Sequence, residues 1–432
     1  MTISDIIAAK RDGFELSGED IRRLVLGYTA GEVADYQMSA FLMAAYIRGL
    51  NFSETAGLTA AMVDSGNVLD LSQIEGIKVD KHSTGGVGDK TTLVIVPMLA
   101  ACGLKAPKMS GRGLGFTGGT VDKLESIPGF NTSLSLNDFI KQIDEIGAAM
   151  AGQTANMAPA DKMIYALRDV TATVDSIPLI SASIMSKKIA CGADAILLDV
   201  KVGNGAFMKN LDDARQLART MIEIGKNLDR KVGAIITDMN QPLGCAVGNS
   251  LEVREAIDTL SGHGPADLTR LCIELCTSAL ILADTGCCAD KARSMAENTL
   301  SSGAALGKFG QIIGAQGGNE DVLHNPALMG EASIKKEVKA DSTGVVSEID
   351  TAGVGRAASA LGAGRQRKDD QIDPVVGLIV EKKIGDKVEI GDTIATIHGN
   401  DESKIQQAEA ILKSCYILGD SAQAPQLIVE RL

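Results

Sequence analysis

Residues 81–90, KHSTGGVGDK, connect a short apolar run to a long one through a glycine-rich turn. The pattern predicts a strand over residues 77–80, a turn over 84–88, and a buried helix or strand-helix element over 90–103. A strand, a glycine turn and a helix start together present backbone N–H groups and a positive dipole end to an anion. The alternative is that the glycines only allow a tight strand-to-helix turn.

Polar side chains around this turn favour the anion-binding interpretation. Lys81, Ser83 and Thr92 supply one ammonium and two hydroxyl groups, which are donors that a phosphate group uses. The turn is not a Walker loop, because Asp89 precedes Lys90 where that motif requires glycine. We therefore predict a phosphate site and disfavour triphosphate chemistry.

Composition limits the possible partners and compartment. The 432 residues, 45% apolar and 22% charged, are typical of a soluble globular enzyme of two or three domains. A net charge of −13 argues against a nucleic-acid or anionic-membrane surface. The first residues lack the apolar region of a signal peptide, and the eight cysteines form no CxxC pair. We expect a cytoplasmic enzyme without nucleic-acid or membrane partners.

The order of the predicted elements indicates an α/β protein. Residues 1–66 predict four helices, and the nearly apolar run 38–50 predicts a helix buried in this domain or against a second subunit. Three apolar runs, at 77–80, 193–203 and 232–238, are each followed by a candidate helix, as in βα units with a parallel sheet. The helical stretch 161–192 interrupts this alternation and is assigned to the helical domain.

We therefore predict a helical N-terminal domain with a helical insertion, a central mostly parallel α/β domain, and a C-terminal β-rich α+β domain. The first comprises residues 1–66 plus about 162–193, and the second comprises about 77–155 plus 196–330. The third, about 335–432, resembles the barrel-sandwich hairpins of biotinyl and lipoyl carriers. A carrier needs a lysine at its hairpin tip, but 398–403 offers none before Lys404. A structural domain is therefore favoured.

A second polar, glycine-rich segment spans residues 108–126, KMSGRGLGFTGGTVDKLES. Gly113, Gly115 and Gly118 match GxGxxG, but the signal for dinucleotide binding is weak, because no long helix is predicted to follow. The segment supplies an ammonium group from Lys108 and hydroxyl groups from Ser110 and Thr120. These are donors of the same kind as those near residue 81. It is predicted to complete the anion site.

KHSTGGVGD and SGRGLGFTGGTVDKLESIPGF closely resemble the thymidine and pyrimidine-nucleoside phosphorylases. The resemblance extends over essentially the whole chain, including residues 163–190 and 199–207. That family is similar in fold to anthranilate phosphoribosyltransferase. The resemblance implies nucleoside salvage by reversible phosphorolysis of uridine, thymidine or deoxyuridine, giving the free base and (2-deoxy)ribose 1-phosphate. A thymidine-only enzyme is the alternative.

The resemblance also implies a set of site residues. Its phosphate-binding positions fall on Lys81, Ser83, Thr92, Lys108, Met109, Ser110 and Thr120. Its base-binding positions fall on Arg168, Ser183 and Lys187, with His82 beside the bond that breaks, so His82, Arg168 and Lys187 are the implied catalytic residues. The spacing of Ser183 and Lys187 independently places both on one helical face. Hinges near 66–80, 155–162 and 193–197 and a homodimer formed through the helical domain are also implied.

Two positions depart from the family pattern. Phe116 stands where relatives usually have His, which bears on sugar or base selectivity. Lys90 stands where the pyrimidine-nucleoside branch usually has Thr, in a potassium site whose positions match Gly88, Lys90, Leu243, Ala246 and Glu255. The ammonium of Lys90 is expected either to replace potassium or to point to solvent while the ion binds. We expect no organic cofactor, with inorganic phosphate as co-substrate.

Three other functions remain open from the sequence. A phosphoribosyltransferase would use magnesium and pyrophosphate chemistry, but Asp89 is a single carboxylate near the anion loop without an acidic pair after it. A non-catalytic binding protein would have lost one of the three base-binding residues, and the sequence retains them all. A carrier role for the C-terminal domain would require a modified lysine.

Overall fold

The computed structural model describes residues 1–113, 118–153, 157–365 and 370–432. Four helices come first: α1 Ile3–Arg11, α2 Gly18–Thr29, α3 Asp35–Arg48 and α4 Phe52–Asp64. Side-chain oxygens of Thr2, Ser17 and Asn51 accept from backbone N–H groups at the starts of α1, α2 and α4. These caps satisfy N–H groups that have no partner within the helix.

The central part alternates strands and helices. Its elements are β1 Val79–Ser83, α5 Thr91–Ala101, β2 Ala106–Ser110, α6 Thr120–Leu124, α7 Leu136–Ile146, β3 Ala148–Gly152, α8 Pro159–Val170, α9 Ile177–Ala190, β4 Ala195–Val202, α10 Leu211–Asn227, β5 Lys231–Asp238, β6 Ala246–Val247, α11 Asn249–Leu260, α12 Ala266–Leu282, α13 Ala289–Ser301 and α14 Ala304–Ala315.

Sheets reappear towards the C-terminus. The elements are β7 Ile334–Lys339, β8 Gly344–Ile349, α15 Thr351–Leu361, β9 Gly377–Val380, β10 Lys387–Val388, β11 Thr393–Gly399, α16 Glu402–Cys415, β12 Tyr416–Gly419 and β13 Ile428–Arg431. Two sheets in this region, β10-β8-β12 and β6-β9-β11-β7, pack with α15 and α16 around a shared apolar core. This element order confirms the predicted fold class.

The main sheet has the order β1-β4-β5-β13. Strands β1, β4 and β5 are parallel, and Ser83 pairs in register with Asp199. The first strand lies later than predicted: it begins at Val79 and continues through Lys81 and His82 to Ser83. The parallel ladder with β4 satisfies the backbone there, so these polar residues remain in the strand although their composition suggests a turn. The carboxyl end of β1 therefore carries functional side chains.

The last strand differs from the sequence prediction. Residues to 432 were assigned to the C-terminal domain, but β13 pairs antiparallel with β5 in the main sheet, with Ile428 opposite Thr237. The backbone N–H of Leu432 also donates to the carbonyl of Ala234. The chain end thus covers the free edge of β5, which would otherwise present unpaired backbone groups.

Helices α8 and α9 pack against the N-terminal helices. Ile164 of α8 and Leu179 and Ala182 of α9 belong to the same apolar core as residues of α1–α4. Further along α9, Met185 and Ile189 belong to a different core, which contains residues of β4 and α10. Helix α9 therefore lies between the helical bundle and the main sheet.

The apolar run in α3 is only partly buried within the chain. Phe41 and Leu42 are buried, whereas Met43, Tyr46 and Ile47 are exposed.

In the part of the chain that the structure describes, no helix combines the length and the apolar character that crossing a membrane requires.

Candidate active site

The loop after β1 is shaped by glycines that approach other segments closely. Gly88 has a φ of +71°, and a Cβ added to it would lie 2.6 Å from the carbonyl oxygen of Leu243. A Cβ on Gly86 would lie 2.6 Å from the side chain of Met239. The positive φ and the backbone contact at Gly88 require glycine there, whereas a Cβ at position 86 would require the flexible side chain of Met239 to move. Helix α5 begins directly after the loop, at Thr91.

A cavity of about 150 Å³ lies where this loop faces β2 and α9. Most of the predicted phosphate-binding residues line it, namely Ser83, Thr92, Lys108, Met109, Ser110 and Thr120. His82 and Lys187 also contribute to its wall. The structure thus brings together donors from two separate segments of the sequence.

Lys81 occupies a different position from the rest of the predicted phosphate set. Its ammonium donates to the hydroxyl of Thr91 and lies 3.1 Å from a carboxylate oxygen of Asp199. Asp199 also pairs with Lys201 at 2.9 Å and accepts from Thr237 at 2.7 Å. In this arrangement the charge of Lys81 is paired with Asp199, and Lys81 is not among the residues that line the cavity.

Asp89 organises the hydroxyl groups of the anion loop. It accepts from the hydroxyl of Ser83 and, at 2.6 Å, from that of Thr91. Burial raises the pKa of Asp89, but the nearby Lys81 and Lys201 outweigh burial and lower that pKa below its ordinary value. Asp89 is therefore an anionic acceptor. The Ser83 hydroxyl must turn away from it before it can donate to a ligand.

Two lysines share one buried carboxylate at the opposite wall. Asp80 lies 3.2 Å from the ammonium of Lys108 and 2.8 Å from that of Lys188. Lys188 also donates to the carbonyl of Met109 at 3.1 Å and lines the cavity. The sequence did not identify Asp80 or Lys188, although Asp80 lies in the predicted first strand and Lys188 adjoins Lys187.

Burial and the neighbouring lysines both lower the pKa of Lys108. Burial lowers the pKa of Lys108 to about 7; the charges of Lys188 and Lys81 act in the same direction, and Asp80 opposes them. For Lys188, burial lowers the pKa, but Asp80 and other neighbouring groups together outweigh burial, so the pKa is raised above its ordinary value. A bound dianion would supply the negative charge that this group of lysines lacks.

His82 is held as a neutral imidazole. Burial and then the charges of Lys188 and Lys108 lower the pKa of His82 well below its ordinary value. Its Nε2 atom is buried and has no hydrogen-bond partner among the described residues. A neutral ring can still donate or accept one hydrogen bond at this nitrogen, depending on the tautomer.

A second cavity, also of about 150 Å³, adjoins the first and is the more apolar of the two. Arg168, Ser183 and Tyr165 line it, and Ile184 lines both cavities. Arg168 is 1% exposed. Its guanidinium donates to three backbone carbonyls, those of Thr173 at 3.1 Å, Val174 at 2.6 Å and Leu179 at 3.1 Å. The residue therefore also fixes the loop that connects α8 to α9.

Lys187 is held by two neighbours. Its ammonium lies 2.5 Å from a carboxylate oxygen of Asp161 and 2.9 Å from the hydroxyl oxygen of Ser183. Ser183 and Lys187 thus share a face of α9, as their spacing predicted. The sequence did not identify Asp161, whose position in the first turn of α8 alone suggests only a favourable interaction with the helix dipole.

Lys90 lies inside a cage of oxygen atoms. Its ammonium donates to the carbonyls of Leu243 at 2.8 Å and Ala246 at 2.9 Å and to the carboxylate of Glu255. Burial lowers the pKa of Lys90, but Glu255 and Glu252 outweigh it, so that pKa is raised. Among the described ranges, no group of three or more His, Cys, Asp or Glu residues could hold a metal ion.

Two predicted features lie outside the described residues. Phe116, with Gly115 of the GxGxxG match, falls in the gap at 114–117. Part of the predicted hinge at 155–162 falls in the gap at 154–156.

Comparison with known proteins first identifies the broad class of protein to which the chain belongs. Residues 4–66 match the helical bundle domain of a glycosyl transferase family, and residues 75–306 match the a/b domain of that family. The crystal structure of anthranilate phosphoribosyltransferase from Thermus thermophilus has a TM-score of 0.59, with 18% identity, over 72% of this chain and 99% of that one. This likeness concerns the fold alone and agrees with the expectation from sequence.

The relatives with high coverage define the particular family. Residues 345–419 match the pyrimidine nucleoside phosphorylase C-terminal domain. The pyrimidine-nucleoside phosphorylase of Geobacillus stearothermophilus is 51% identical over 432 residues, which is 100% of both chains. That of Staphylococcus haemolyticus is 54% identical over 403 residues, 93% of each. The chain belongs to the pyrimidine-nucleoside phosphorylase family, so the resemblance seen in its motifs is confirmed.

Proposed function

We propose that the protein cleaves pyrimidine nucleosides with inorganic phosphate, reversibly, to give the free base and a pentose 1-phosphate. The observation that carries the proposal is the shared wall of the two cavities at Ile184. One cavity has the lysines and hydroxyls that suit a phosphate dianion, and the other has an apolar lining with Arg168 and Ser183, which suits a flat polar base.

In the proposed reaction a phosphate oxygen forms a bond to the anomeric carbon while the bond from that carbon to the pyrimidine nitrogen breaks. The phosphate is held by Ser83, Thr92, Lys108, Ser110, Thr120 and the backbone of Met109. Lys81 joins them only if its ammonium leaves Thr91 and Asp199. Positive charge grows on the sugar and negative charge on the base, and the base finally takes up the proton that the hydrogen phosphate loses as it bonds to the sugar.

The leaving base is stabilised by donors from the helical side. Lys187, Ser183 and Arg168 are assigned to the pyrimidine oxygens, where negative charge develops as the bond breaks. Donors that strengthen with developing charge raise the rate of the chemical step, not only the affinity. We assign to His82 a hydrogen bond to the base or sugar, since its lowered pKa argues against an imidazolium that gives up a proton.

The proposed domain division is that of the sequence prediction, except that β13 joins the main sheet. The cleft between α9 and the phosphate loops would close through the hinges near 66–80, 155–162 and 193–197. A cytoplasmic homodimer is proposed, with α3 at the interface. Its exposed apolar residues, including Ile47 at 69% exposure, support that assignment.

We also propose that Lys90 replaces the potassium ion that the family resemblance implies at this position. Its three contacts with Leu243, Ala246 and Glu255 support the proposal, as does the close packing of Gly88 on the carbonyl of Leu243. One ammonium supplies the same single positive charge to the same oxygens. It also ties the anion loop to the segment after β5.

The proposed function is tested by incubating the purified protein with uridine or thymidine, with and without phosphate. Release of uracil or thymine should require phosphate and persist in EDTA. Comparable rates with both nucleosides would support broad specificity, and cleavage of thymidine alone would support the thymidine-only alternative. Base release that is independent of phosphate, or that is lost with EDTA, would contradict the proposal. A phosphoribosyltransferase would instead require magnesium and release pyrophosphate.

A further inference from the structure

Asp161 has no hydrogen-bond partner among the described residues apart from Lys187. It is the third residue of α8 and is 5% exposed, yet no backbone N–H of that fully described helix donates to its side chain. One carboxylate oxygen lies 2.5 Å from the ammonium of Lys187, and the other is buried without a hydrogen-bond partner in the part of the chain described. A carboxylate that only capped a helix would accept from that helix's own N–H groups.

The contact with Asp161 restricts a side chain that is otherwise flexible. The lysine ammonium has three N–H donors on a four-carbon stem. In this structure one donor is directed to Asp161 and a second to Ser183. With two of its donors fixed, the direction of the third is fixed as well, and Lys187 already forms part of the cavity wall beside His82.

Leaving a buried carboxylate oxygen without a donor is unfavourable, because the group has lost its water. The first turn of α8 offsets part of that penalty, since negative charge is favoured at a helix N-terminus. Burial lowers the pKa of Arg168, and the charge of Asp161 opposes part of that shift. The carboxylate therefore contacts Lys187 and also acts electrostatically on Arg168, the other cation assigned to the base.

We propose that Asp161 is a positioning residue that directs the ammonium of Lys187 at the departing pyrimidine. This inference rests on the proposed function. Asp161 does not touch the substrate in this role; it holds the donor in place before negative charge appears on the base. Orientation of this kind affects the chemical step more than the binding of phosphate, which is held by other residues.

The test compares Asp161→Asn and Asp161→Ala with wild type on uridine and on 5-fluorouridine. Fluorine stabilises negative charge on the leaving base, so the rate of cleavage of 5-fluorouridine should depend less on Lys187 than that of uridine. We expect kcat on uridine to fall about 10–100-fold, the scale for a misplaced catalytic group. The fall should be several-fold smaller on 5-fluorouridine, and the KM for phosphate should change little. Asp169→Asn, an exposed carboxylate on the same helix, is the matched control and should behave as wild type.

A purely structural role would lower activity equally for the two nucleosides. The same variants are therefore made in a Lys187→Ala background, where Asp161→Asn should have almost no additional effect. An equal loss on both nucleosides, or a full additional loss without Lys187, would overturn the inference. If the alanine and asparagine variants do not fold, Asp161→Glu keeps the charge but displaces the ammonium, and it must show the same selective loss. Absence of phosphate-dependent cleavage by wild type would refute the proposed function itself.

Discussion

Replacing Lys90 with threonine should convert the protein into one that depends on potassium. The substitution removes an ammonium from three oxygen atoms, two of them backbone carbonyls and one on Glu255. Removing one partner of a buried ion pair costs about 3–5 kcal/mol. Glu255 retains two backbone donors, the N–H groups of Cys245 at 2.8 Å and Ala246 at 3.0 Å. We therefore expect a loss near the lower limit of that range when no small cation is present.

Potassium should reverse most of that loss in the threonine variant. A cation at about 100 times its dissociation constant stabilises the folded state by about 2.7 kcal/mol. Thermal unfolding and uridine phosphorolysis are measured in potassium chloride and in tetramethylammonium chloride at matched ionic strength. Wild type should give the same melting temperature and rate in both salts, whereas Lys90→Thr should be less stable and less active without potassium.

Lys90→Met is the matched control for this experiment. Its side chain fills a similar volume but supplies neither a charge nor a hydroxyl group, so we expect destabilisation that potassium does not reverse. The reasoning is refuted if wild type itself loses activity when potassium is replaced. It is refuted equally if Lys90→Thr is as stable as wild type in the organic cation, because the ammonium would then contribute nothing to joining the two loops.

The site and the surface give three further predictions. Lys187→Ala should lower kcat/KM by about two orders of magnitude and also lower the melting temperature, because the buried carboxylate of Asp161 loses its one partner among the described residues. Arg168→Ala should lower kcat/KM similarly and lower the melting temperature as well, because three backbone carbonyls lose their donor. Sulfate remains a dianion on both sides of pH 7, so it serves as a probe of the phosphate site. Its inhibition should weaken as the pH rises through about 7, because Lys108 loses its proton there. Lys108→Met should abolish this dependence of inhibition on pH. Ile47→Asp should give monomers by light scattering with an unchanged helical circular-dichroism signal, and a persisting dimer would exclude α3 from the interface.

The sequence was most informative where function depends on strand ends. The strand predicted over 77–80, with the glycine turn after it, places polar side chains at the carboxyl end of a parallel strand, although β1 continues to Ser83. The spacing of Ser183 and Lys187 similarly follows from the helical repeat. These predictions needed only local periodicity and the direction of the strands. The sequence pattern predicts no strand at Ala106–Ser110, where the structure has β2.

Contacts between distant segments could not be predicted in the same way. Asp80 and Lys188 are 108 residues apart and form their ion pair only after α9 packs beside β1. The position of Lys81 depends likewise on Asp199, which comes from the neighbouring strand. Nothing in the local sequence indicates that the final residues return to the main sheet. Each of these features depends on tertiary packing, which cannot be inferred from the periodicity of the sequence.

Helix α9 connects the two halves of the candidate site through adjacent residues. Successive residues of an α-helix point about 100° apart, since about 3.6 residues make one turn. Lys187 accordingly faces Asp161 on the helical side, while Lys188 faces Asp80 and the carbonyl of Met109 on the phosphate side. Separating α9 from β1 would break the contacts of Lys188 with Asp80 and with the carbonyl of Met109. Domain closure is therefore expected to turn about this helix rather than to detach it, so that the donors for the base stay in register with the donors for the phosphate.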